Sequence, residues 1–326
     1  MIFSLKSFLS MLMVVINFFT LLFSGDFAGK FEPADPKACN LNFAAISDIH
    51  MTDSIFRAFM LELGLYEMEH ADTRLDALVV TGDITDHGEY GDWENLKKTF
   101  AKYDPADNII FGLGNHDTWT DEGYEKSREY FIKYNKEITG HDFDKPYYSY
   151  QVNDYTFIVL ASEGDRVSAY FSPEQIAWLD AEMAKAAQED KPIFVVSHWP
   201  INQSHGLPET WGDEEPQLDD GGMGDQSAEV EAILKKHKNV FLLSGHIHNG
   251  VVNDRQEDVY HYRSVESDGS FHSINLPTYM YATIRGRVSN GTGMQFEVYD
   301  DSVLIRTRSY SAGVWYTDYV YEIELV

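Results

Sequence analysis

Five short segments of this 326-residue chain are rich in side chains that bind metal ions. Each segment places carboxylate, imidazole or amide groups close together, and the segments are spread along most of the chain. They are Asp48-Ile49-His50, Gly82-Asp83, Gly114-Asn115-His116-Asp117, Ser197-His198 and Gly245-His246-Ile247-His248. Hydrolytic sites with two metal ions take such donors from several elements of the fold. The sequence therefore predicts a two-metal centre.

Each donor segment directly follows a short apolar run that is typical of a buried strand. The five runs are Phe43–Ile46, Ala77–Val80, Ile109–Phe111, Ile193–Val196 and Val240–Leu243. Ligands of open α/β sheets bind beyond the carboxyl ends of the strands, so we expect the five segments to converge there. Asp48 and His50 are two positions apart, as are His246 and His248. From an extended segment, each pair is expected to point to one side.

The ordered motifs D-x-H, G-D, G-N-H-[DE], a lone His and G-H-x-H resemble the signature of the calcineurin-like metallophosphoesterase family. All five are present without a substituted ligand, and the resemblance covers residues 41–250. It implies an α/β (α+β) fold built as a four-layer αββα sandwich. In that fold, two mixed β-sheets pack together and are flanked by helices. The alternation of strand and helix patterns along the chain is compatible with this architecture.

The resemblance also implies seven metal ligands in two groups that share one carboxylate. The groups are Asp48, His50 and His248 for one ion, Asn115, His198 and His246 for the other, and Asp83 for both. Imidazole and carboxylate donors suit manganese, iron or zinc better than calcium or magnesium. The expected cofactors are two ions of this kind, and the donor set does not distinguish among them.

Two further residues of the third motif are expected to act in catalysis. In the family, a metal-bridging hydroxide attacks phosphorus, and the metal ions neutralise charge on the phosphoryl oxygens. The resemblance implies that His116 protonates the leaving-group oxygen or stabilises the transition state. Asp117 is expected to accept a hydrogen bond from His116 and to hold its ring in the required tautomer.

The residues that follow the shared carboxylate, Asp83, indicate which branch of the family the chain resembles. Purple acid phosphatases carry a tyrosine three residues after it, where this chain has Asp86. The related protein phosphatases carry an arginine one residue further on, where this chain has His87. Residues 81–90 and the third motif look most like the bacterial cyclic-nucleotide phosphodiesterases. Ser197-His198-Trp199-Pro200 departs from the histidine-rich box of that branch.

The N-terminus has the pattern of a secretory signal. Lys6 precedes a nearly continuous apolar run from Phe8 to Phe23, which is shorter than the ~20 residues that span a bilayer. We predict a signal peptide or membrane anchor at 1–25, a linker at 26–40 and one metallophosphoesterase domain at 41–326. The core of this domain is expected at 41–250, and a β-rich C-terminal part that completes the domain is expected at 251–326. The enzyme would be secreted or extracytoplasmic, and an uncleaved segment would anchor it to a membrane.

The net charge and the cysteine content limit the kinds of partner and the covalent cross-links expected for this chain. The chain carries 53 acidic and 25 basic residues, a formal net charge of −28. This acidity disfavours a stable complex with nucleic acid or with anionic membranes. The one cysteine, Cys39, excludes an intramolecular disulfide and is expected to be a free thiol. The expected partner is a small phosphate ester, with membrane contact only through an uncleaved N-terminal segment.

Helices are predicted at Ser54–His70, Asp92–Tyr103, Glu122–Tyr134, Ser172–Gln188 and Ser227–His237, with Ser172 and Ser227 as N-caps. In the first helix, Ile55, Phe59, Leu63 and Tyr66 form the apolar periodicity. A hairpin is predicted from Tyr147–Tyr150 and Tyr155–Leu160. The long polar loop 202–226 is either a lid over the metals or a solvated connection. Strands near the C-terminus are expected to complete a second sheet.

The sequence thus predicts a secreted or surface-anchored phosphoesterase that depends on two metal ions and cleaves phosphodiesters, such as a cyclic nucleotide. A phosphomonoesterase of the same fold is the alternative within the same class. The alternative from another class is a surface binding protein that retains the fold without catalysis. Full retention of the ligand motifs, together with His116 and Asp117, argues against that last hypothesis.

Overall fold

The computed structural model describes residues 39–164, 169–211, 217–249, 262–269, 271–284 and 287–326. Within these residues, two six-stranded sheets form the centre of the fold. The predicted signal peptide or anchor and most of the predicted linker lie outside the described residues. No helix of the described part is long and apolar enough to cross a bilayer.

The first sheet joins the start of the chain to its C-terminal end. Its spatial order is β14-β13-β12-β1-β2-β3, with β1 to β3 parallel and β12 to β14 antiparallel. The strands are β1 (Leu41–Ile46), β2 (Ala77–Val80), β3 (Asn108–Phe111), β12 (Thr292–Val298), β13 (Ser302–Ser309) and β14 (Val314–Glu324). The last three strands therefore complete this first sheet. The C-terminal part was expected to complete a second sheet, and among the described residues only its earlier strands, at 265–268 and 271–275, do so.

The second sheet has the order β4-β5-β6-β7-β9-β8, with β5, β6, β7 and β9 parallel. Its strands are β4 (Tyr148–Val152), β5 (Tyr155–Val159), β6 (Ile193–Val196), β7 (Val240–Ser244), β8 (Val265–Asp268) and β9 (Phe271–Asn275). A small separate ribbon pairs β10 (Ala282–Ile284) with β11 (Arg287–Ser289). The predicted hairpin is confirmed, and Asn153 and Asp154 at its turn have the positive φ angles of a tight two-residue connection.

Successive side chains of a strand point to opposite faces of its sheet, and this alternation gives the fold its layers. On β1, Phe43 and Ala45 face the second sheet, where Phe43 meets Phe194 of β6 edge-on. Phe43 also stacks against Phe296 of the neighbouring strand β12. Ala44 and Ile46 face the other way, toward helices. The helices are α1 (Ile55–Glu69), α2 (Tyr90–Phe100), α3 (Tyr124–Thr139), α4 (Pro173–Ala186) and α5 (Ser227–Leu234), and short 3₁₀ turns lie at 116–118, 187–189, 209–211 and 224–226.

Helices α1 to α3 cover the outer face of the first sheet, and α4 and α5 cover that of the second. The expected four-layer αββα sandwich is confirmed. Ser172 caps α4 by accepting from the Gln175 amide, as predicted. Ser227 does not cap α5. It is the first residue inside the helix, and its hydroxyl accepts from the Asn202 amide instead.

The apolar periodicity of α1 lies on the opposite face from the one that is buried. Ile55, Phe59 and Tyr66 are 62, 51 and 51% exposed. The buried side is Met60, Leu61, Gly64, Leu65 and Met68. This helix is apolar nearly all round, so a helical period alone cannot show which stripe meets the sheet.

Candidate metal centre

The five donor segments meet at one edge of the sandwich because the strands before them are aligned. β1, β2 and β3 are parallel neighbours in the first sheet, and β6 and β7 are parallel neighbours in the second. Their carboxyl ends therefore open on the same side of the two packed sheets. The amide of Asp48 donates to the carbonyl of Gly82, and that of Gly245 donates to the carbonyl of His198, which ties the loops together.

One cluster of donors joins the first, second and fifth motifs. Asp48, His50, Asp83 and His248 each bring one ligand atom to within 4.8 Å of the others. His248 Nε2 lies 3.0 Å from Asp48 Oδ1 and 3.0 Å from His50 Nε2. Four imidazole and carboxylate groups this close together suit one cation among them.

A second cluster joins the remaining motifs. Asp83, His198 and His246 form the group, with His246 Nδ1 3.2 Å from His198 Nε2. Asn115 Oδ1 lies 3.1 Å from His198 Nε2, so the amide belongs to this cluster as well. The seven predicted ligands thus separate into the two expected groups.

Asp83 is the residue that the two clusters share. Its Oδ2 lies 3.3 Å from His198 Nε2, 3.8 Å from His50 Nε2 and 3.9 Å from His248 Nε2. This oxygen and both oxygens of Asp48 are buried and accept no well-directed hydrogen bond within the described part of the chain. Buried carboxylate oxygens without a donor are costly unless a cation binds them. The residues present therefore fit two metal ions that share Asp83.

The backbone at these residues is strained. Asp48, His50, Asp83, His246 and His248 have φ angles of 56, 49, 47, 70 and 56°, in the left-handed region that non-glycine residues seldom occupy. Each such residue costs about 1–3 kcal/mol, and such strain clusters at functional sites. The prediction that each pair projects from an extended segment is therefore wrong. Tight turns aim the side chains instead.

Glycine is required where the loops approach one another. A Cβ on Gly114 would lie 2.2 Å from both the amide nitrogen and Oδ1 of Asp83. Gly82 has φ 136°, and its Cβ would lie 2.6 Å from Nδ1 of His198. The glycines of the second and third motifs therefore allow two loops to pack against a ligand side chain.

The electrostatics of the buried histidines suit metal binding. Burial and the neighbouring His198 lower the pKa of His246 to about 3, so this imidazole stays neutral and can donate a lone pair. His198 is also fully buried, yet the carboxylates of Asp83 and Asp48 raise its pKa. The two buried carboxylates, Asp83 and Asp48, thus strongly favour positive charge beside them.

Asp86, rather than Asp117, faces His116. The Nδ1 of His116 lies 2.9 Å from the carbonyl oxygen of Asp86 and 3.6 Å from its Oδ1. The same carboxylate lies 3.0 Å from His50 Nδ1 and 2.8 Å from Arg57 Nη1. Burial opposes its ionisation, but His50 and Arg57 hold the pKa of Asp86 well below its usual range. Asp86 therefore contacts both a candidate ligand and the candidate acid.

Asp117 has a different role from the predicted one. Its Oδ1 accepts from the amide and hydroxyl of Thr85, at 2.8 and 2.9 Å. Its Oδ2 accepts from the amides of Gly114 and Ile84, at 2.9 and 3.3 Å. The carboxylate is fully buried and binds the loops of the second and third motifs to each other. The expectation that it accepts from His116 is wrong.

The described part of loop 202–226 reaches the second cluster. Trp211 stacks on His246 with ring centroids 4.6 Å apart. His205 is buried, and its ring nitrogens lie 2.6 Å from the carbonyl of Arg263 and 2.8 Å from the hydroxyl of Ser273. Residues 202–211 thus overhang the site and are fixed to the second sheet by His205, which favours the lid interpretation for this part.

The sequence model of calcineurin-like phosphoesterases matches residues 41–250, which is more than half of the chain. The chain belongs to the calcineurin-like phosphoesterase family. A 3′,5′-cyclic-nucleotide phosphodiesterase from Nostoc sp. is 27% identical over 236 residues, covering 68% of this chain and 76% of the relative. The resemblance seen in the five motifs is confirmed, and the family and its donor clusters support a metal-dependent hydrolase.

Solved structures of two phosphatases share the fold at low identity. A dimetal phosphatase from Danio rerio superposes with a TM-score of 0.57 and 14% identity, covering 88% of this chain and 100% of the other. A purple acid phosphatase from yellow lupin superposes with a TM-score of 0.55 and 12% identity, covering 87% of this chain and 53% of the other. These likenesses support the fold of this phosphoesterase and do not identify its substrate.

Arg57 is a site residue that motif reading missed. It lies in the first turn of α1, seven residues after His50, and one of its guanidinium nitrogens donates to the carbonyl of His50. Together with His50, Asp86, His116 and His248 it lines a cavity of about 260 Å³ beside the donor clusters. An arginine in the helix after the first motif was the available signal, but its contact with Asp86 depends on the packing of α1.

Proposed function

We propose that this protein is a secreted phosphodiesterase that uses two metal ions to hydrolyse small phosphodiesters. The observation that carries the proposal is the pair of donor clusters that share Oδ2 of Asp83. Asp48, His50 and His248 would hold one ion. Asn115, His198 and His246 would hold the other, and Asp83 would hold both. When bound, the two ions supply a nucleophile from water at neutral pH and neutralise charge on the phosphoryl oxygens.

His116 would move the proton that the leaving group needs. A carbonyl oxygen only accepts, so the His116 nitrogen that faces the Asp86 carbonyl carries a hydrogen. The other ring nitrogen is then the one that can exchange a proton with substrate. Burial lowers the pKa of His116, partly offset by the charge of Asp83. At neutral pH that second nitrogen mostly holds a lone pair, so the ring would first bind a proton there and then pass it to the leaving-group oxygen as a strong acid.

The charge of the cavity favours a diester over a monoester. A phosphate monoester carries nearly two negative charges at neutral pH, whereas a diester carries one. Arg57 is the one lysine or arginine among the described residues that line the cavity, and Asp86 pairs with it. Such a lining adds little net positive charge beyond the ions, which suits a monoanion. The Nostoc relative is a phosphodiesterase by name, which also favours a diester substrate.

The apolar N-terminal segment supports export of the enzyme. A positively charged residue followed by the run from Phe8 to Phe23 is the pattern of a secretory signal. An exported enzyme would meet extracellular phosphodiesters rather than intracellular signals. Fractionation of the producing cells tests this point, and a wholly cytoplasmic enzyme would contradict it.

The proposal predicts metal-restored hydrolysis of a phosphodiester. Purified protein is stripped with a chelator, and manganese, iron or zinc is added back. Bis-(p-nitrophenyl) phosphate should be cleaved with a higher kcat/KM than p-nitrophenyl phosphate, and chelation should abolish both activities. A preference for the monoester would establish the monoesterase alternative. Folded protein that binds two ions but cleaves neither ester would favour the non-catalytic binding protein.

A second prediction concerns Asp86. Asp86→Asn removes the charge that lies 3.0 Å from Nδ1 of His50 and 3.6 Å from Nδ1 of His116. Partners of metal-bound histidines contribute roughly 10- to 100-fold to affinity or activity. We expect kcat/KM for bis-(p-nitrophenyl) phosphate to fall by about that factor, with the melting temperature of the chelated protein nearly unchanged. Steady-state kinetics and metal analysis measure the two effects.

Asp92→Asn is the matched control for Asp86→Asn. Asp92 is a buried carboxylate that faces His87 at 3.5 Å and lies outside the cavity lining. Its kinetics should match those of the wild type. Equal activity of Asp86→Asn and the wild type would show that Asp86 does not position the site.

A further inference from the structure

The cavity beside the metal centre has one wall that the metal chemistry does not use. Besides His50, His116 and His248, it is lined by Met280 and Tyr281, from the segment that follows β9. Its volume of about 260 Å³ is slightly below the ~300–1,000 Å³ of most small-molecule sites. The space therefore suits a phosphoryl group with one compact substituent rather than a long chain.

Tyr281 presents an aromatic ring at the rim of this cavity. The side chain is 50% exposed, and its ring centroid lies 6.2 Å from that of Phe56 on α1. Met280, next to it, is buried. An aromatic surface at the mouth of a polar metal site offers a flat apolar face to whatever enters.

The backbone holds Tyr281 in a strained conformation. Its φ is 64°, which is an outlier for a bulky residue, and its amide donates to Oδ1 of Asn290 at 2.9 Å. Such strain persists only where neighbouring structure enforces it, and it is frequent at ligand-binding positions. The ring is therefore placed at the cavity by the fold.

The segment that carries Tyr281 is fixed to the metal centre. The amide of Tyr279 donates to the carbonyl of Ser47, one residue before Asp48, at 2.7 Å. The buried hydroxyl of Tyr279 donates to the carbonyl of Met60 at 3.0 Å, in space left by Gly64 of α1. These contacts hold the segment between β1 and α1, so Tyr281 cannot shift independently of the donor residues.

We infer that this cavity is the leaving-group subsite and that Tyr281 is the residue that selects a planar aromatic alcohol. The inference rests on the proposed function. His116, the group that would protonate the leaving oxygen, lines the same cavity, so the alcohol attached to that oxygen must lie there. A ring stacked on Tyr281 gains dispersion and quadrupole attraction that an alkyl group of one carbon cannot.

Binding of two non-hydrolysable phosphonates tests the subsite. Phenylphosphonate and methylphosphonate are titrated calorimetrically into manganese-loaded protein, and we expect the phenyl compound to bind more tightly. Tyr281→Ala should weaken phenylphosphonate about tenfold, as for loss of one stacking contact, and leave methylphosphonate unchanged. Tyr281→Phe should retain the preference. Tyr281→Gly, which suits the positive φ, should lose it as Tyr281→Ala does.

Tyr66→Ala is the matched control, because Tyr66 is 51% exposed on α1 and lies outside the cavity lining. Its binding of both phosphonates should equal that of the wild type. If wild-type enzyme hydrolyses bis-(p-nitrophenyl) phosphate but Tyr281→Ala weakens both phosphonates equally, or neither, the subsite is wrong and the proposed function stands. If the wild type hydrolyses no phosphate ester and binds neither phosphonate, the proposed function and the subsite both fall.

Discussion

Asp83→Asn is expected to abolish phosphodiester hydrolysis and the binding of at least one metal ion. Oδ2 of Asp83 lies within 4 Å of histidine nitrogens from both donor clusters, and an amide in its place removes the shared negative charge. Loss of a single preorganised charge contact commonly costs roughly 10²–10³ in kcat, so loss of a bound ion should cost at least that much. Metal analysis and kinetics with bis-(p-nitrophenyl) phosphate measure both effects.

The fold should survive this change. Oδ1 of Asp83 accepts from the His116 amide at 2.8 Å, and an asparagine oxygen can keep that bond. The chelated variant should therefore melt close to the wild type, while the stabilisation that manganese gives the wild type should be reduced. Asp53→Asn, an exposed carboxylate near the first motif, is the control. A variant that keeps two ions and full activity would rule out Asp83 as the shared ligand.

Asp117→Asn is expected to destabilise the fold and to weaken metal binding together. Both oxygens of Asp117 accept from N–H or O–H donors of Ile84, Thr85 and Gly114. An asparagine amide nitrogen cannot accept, so one pair of buried donors loses its partner at a cost of about 1–3 kcal/mol. The joined loops carry Asp83 and Asn115, so the metal ligands should move as well. Thermal unfolding and manganese titration measure the two losses.

The outcome separates two roles for Asp117. If the carboxylate oriented His116, Asp117→Asn would keep its melting temperature and metal content and alter only the turnover and its pH dependence. Loss of stability and metal affinity supports the loop-joining role seen in the structure. Thr85→Val removes one of the four donors to Asp117. It should show a smaller change in the same direction.

Much of this fold was predictable because its central strands are buried on both faces. Such strands appear as continuous apolar runs, and the predicted β2 and β6 match the observed bounds. The place where the candidate metal donors meet was predictable for a related reason, since parallel strands must present their carboxyl ends at one edge. An ordered set of donor motifs at those ends therefore indicated both the family and the place of the site.

Other features depend on contacts between distant segments. The face of α1 that is buried could not be predicted, because the helix is apolar on both sides and only docking on the first sheet decides between them. An alternating strand pattern near the C-terminus does not show which of the two sheets a strand joins. Pairing of β12 with β1 settles the choice.

The sequence by itself determined which residues are candidate metal ligands and which family the chain belongs to, because ligand type and strand-end position are local properties of the chain. The tertiary structure decided which partners the other polar side chains of the site contact. It places Asp86 and Arg57 beside the ligands, and it turns Asp117 toward the loops. Hydrogen bonds and charge pairs act over about 3 Å, so their partners follow from packing between elements that the order of residues does not reveal.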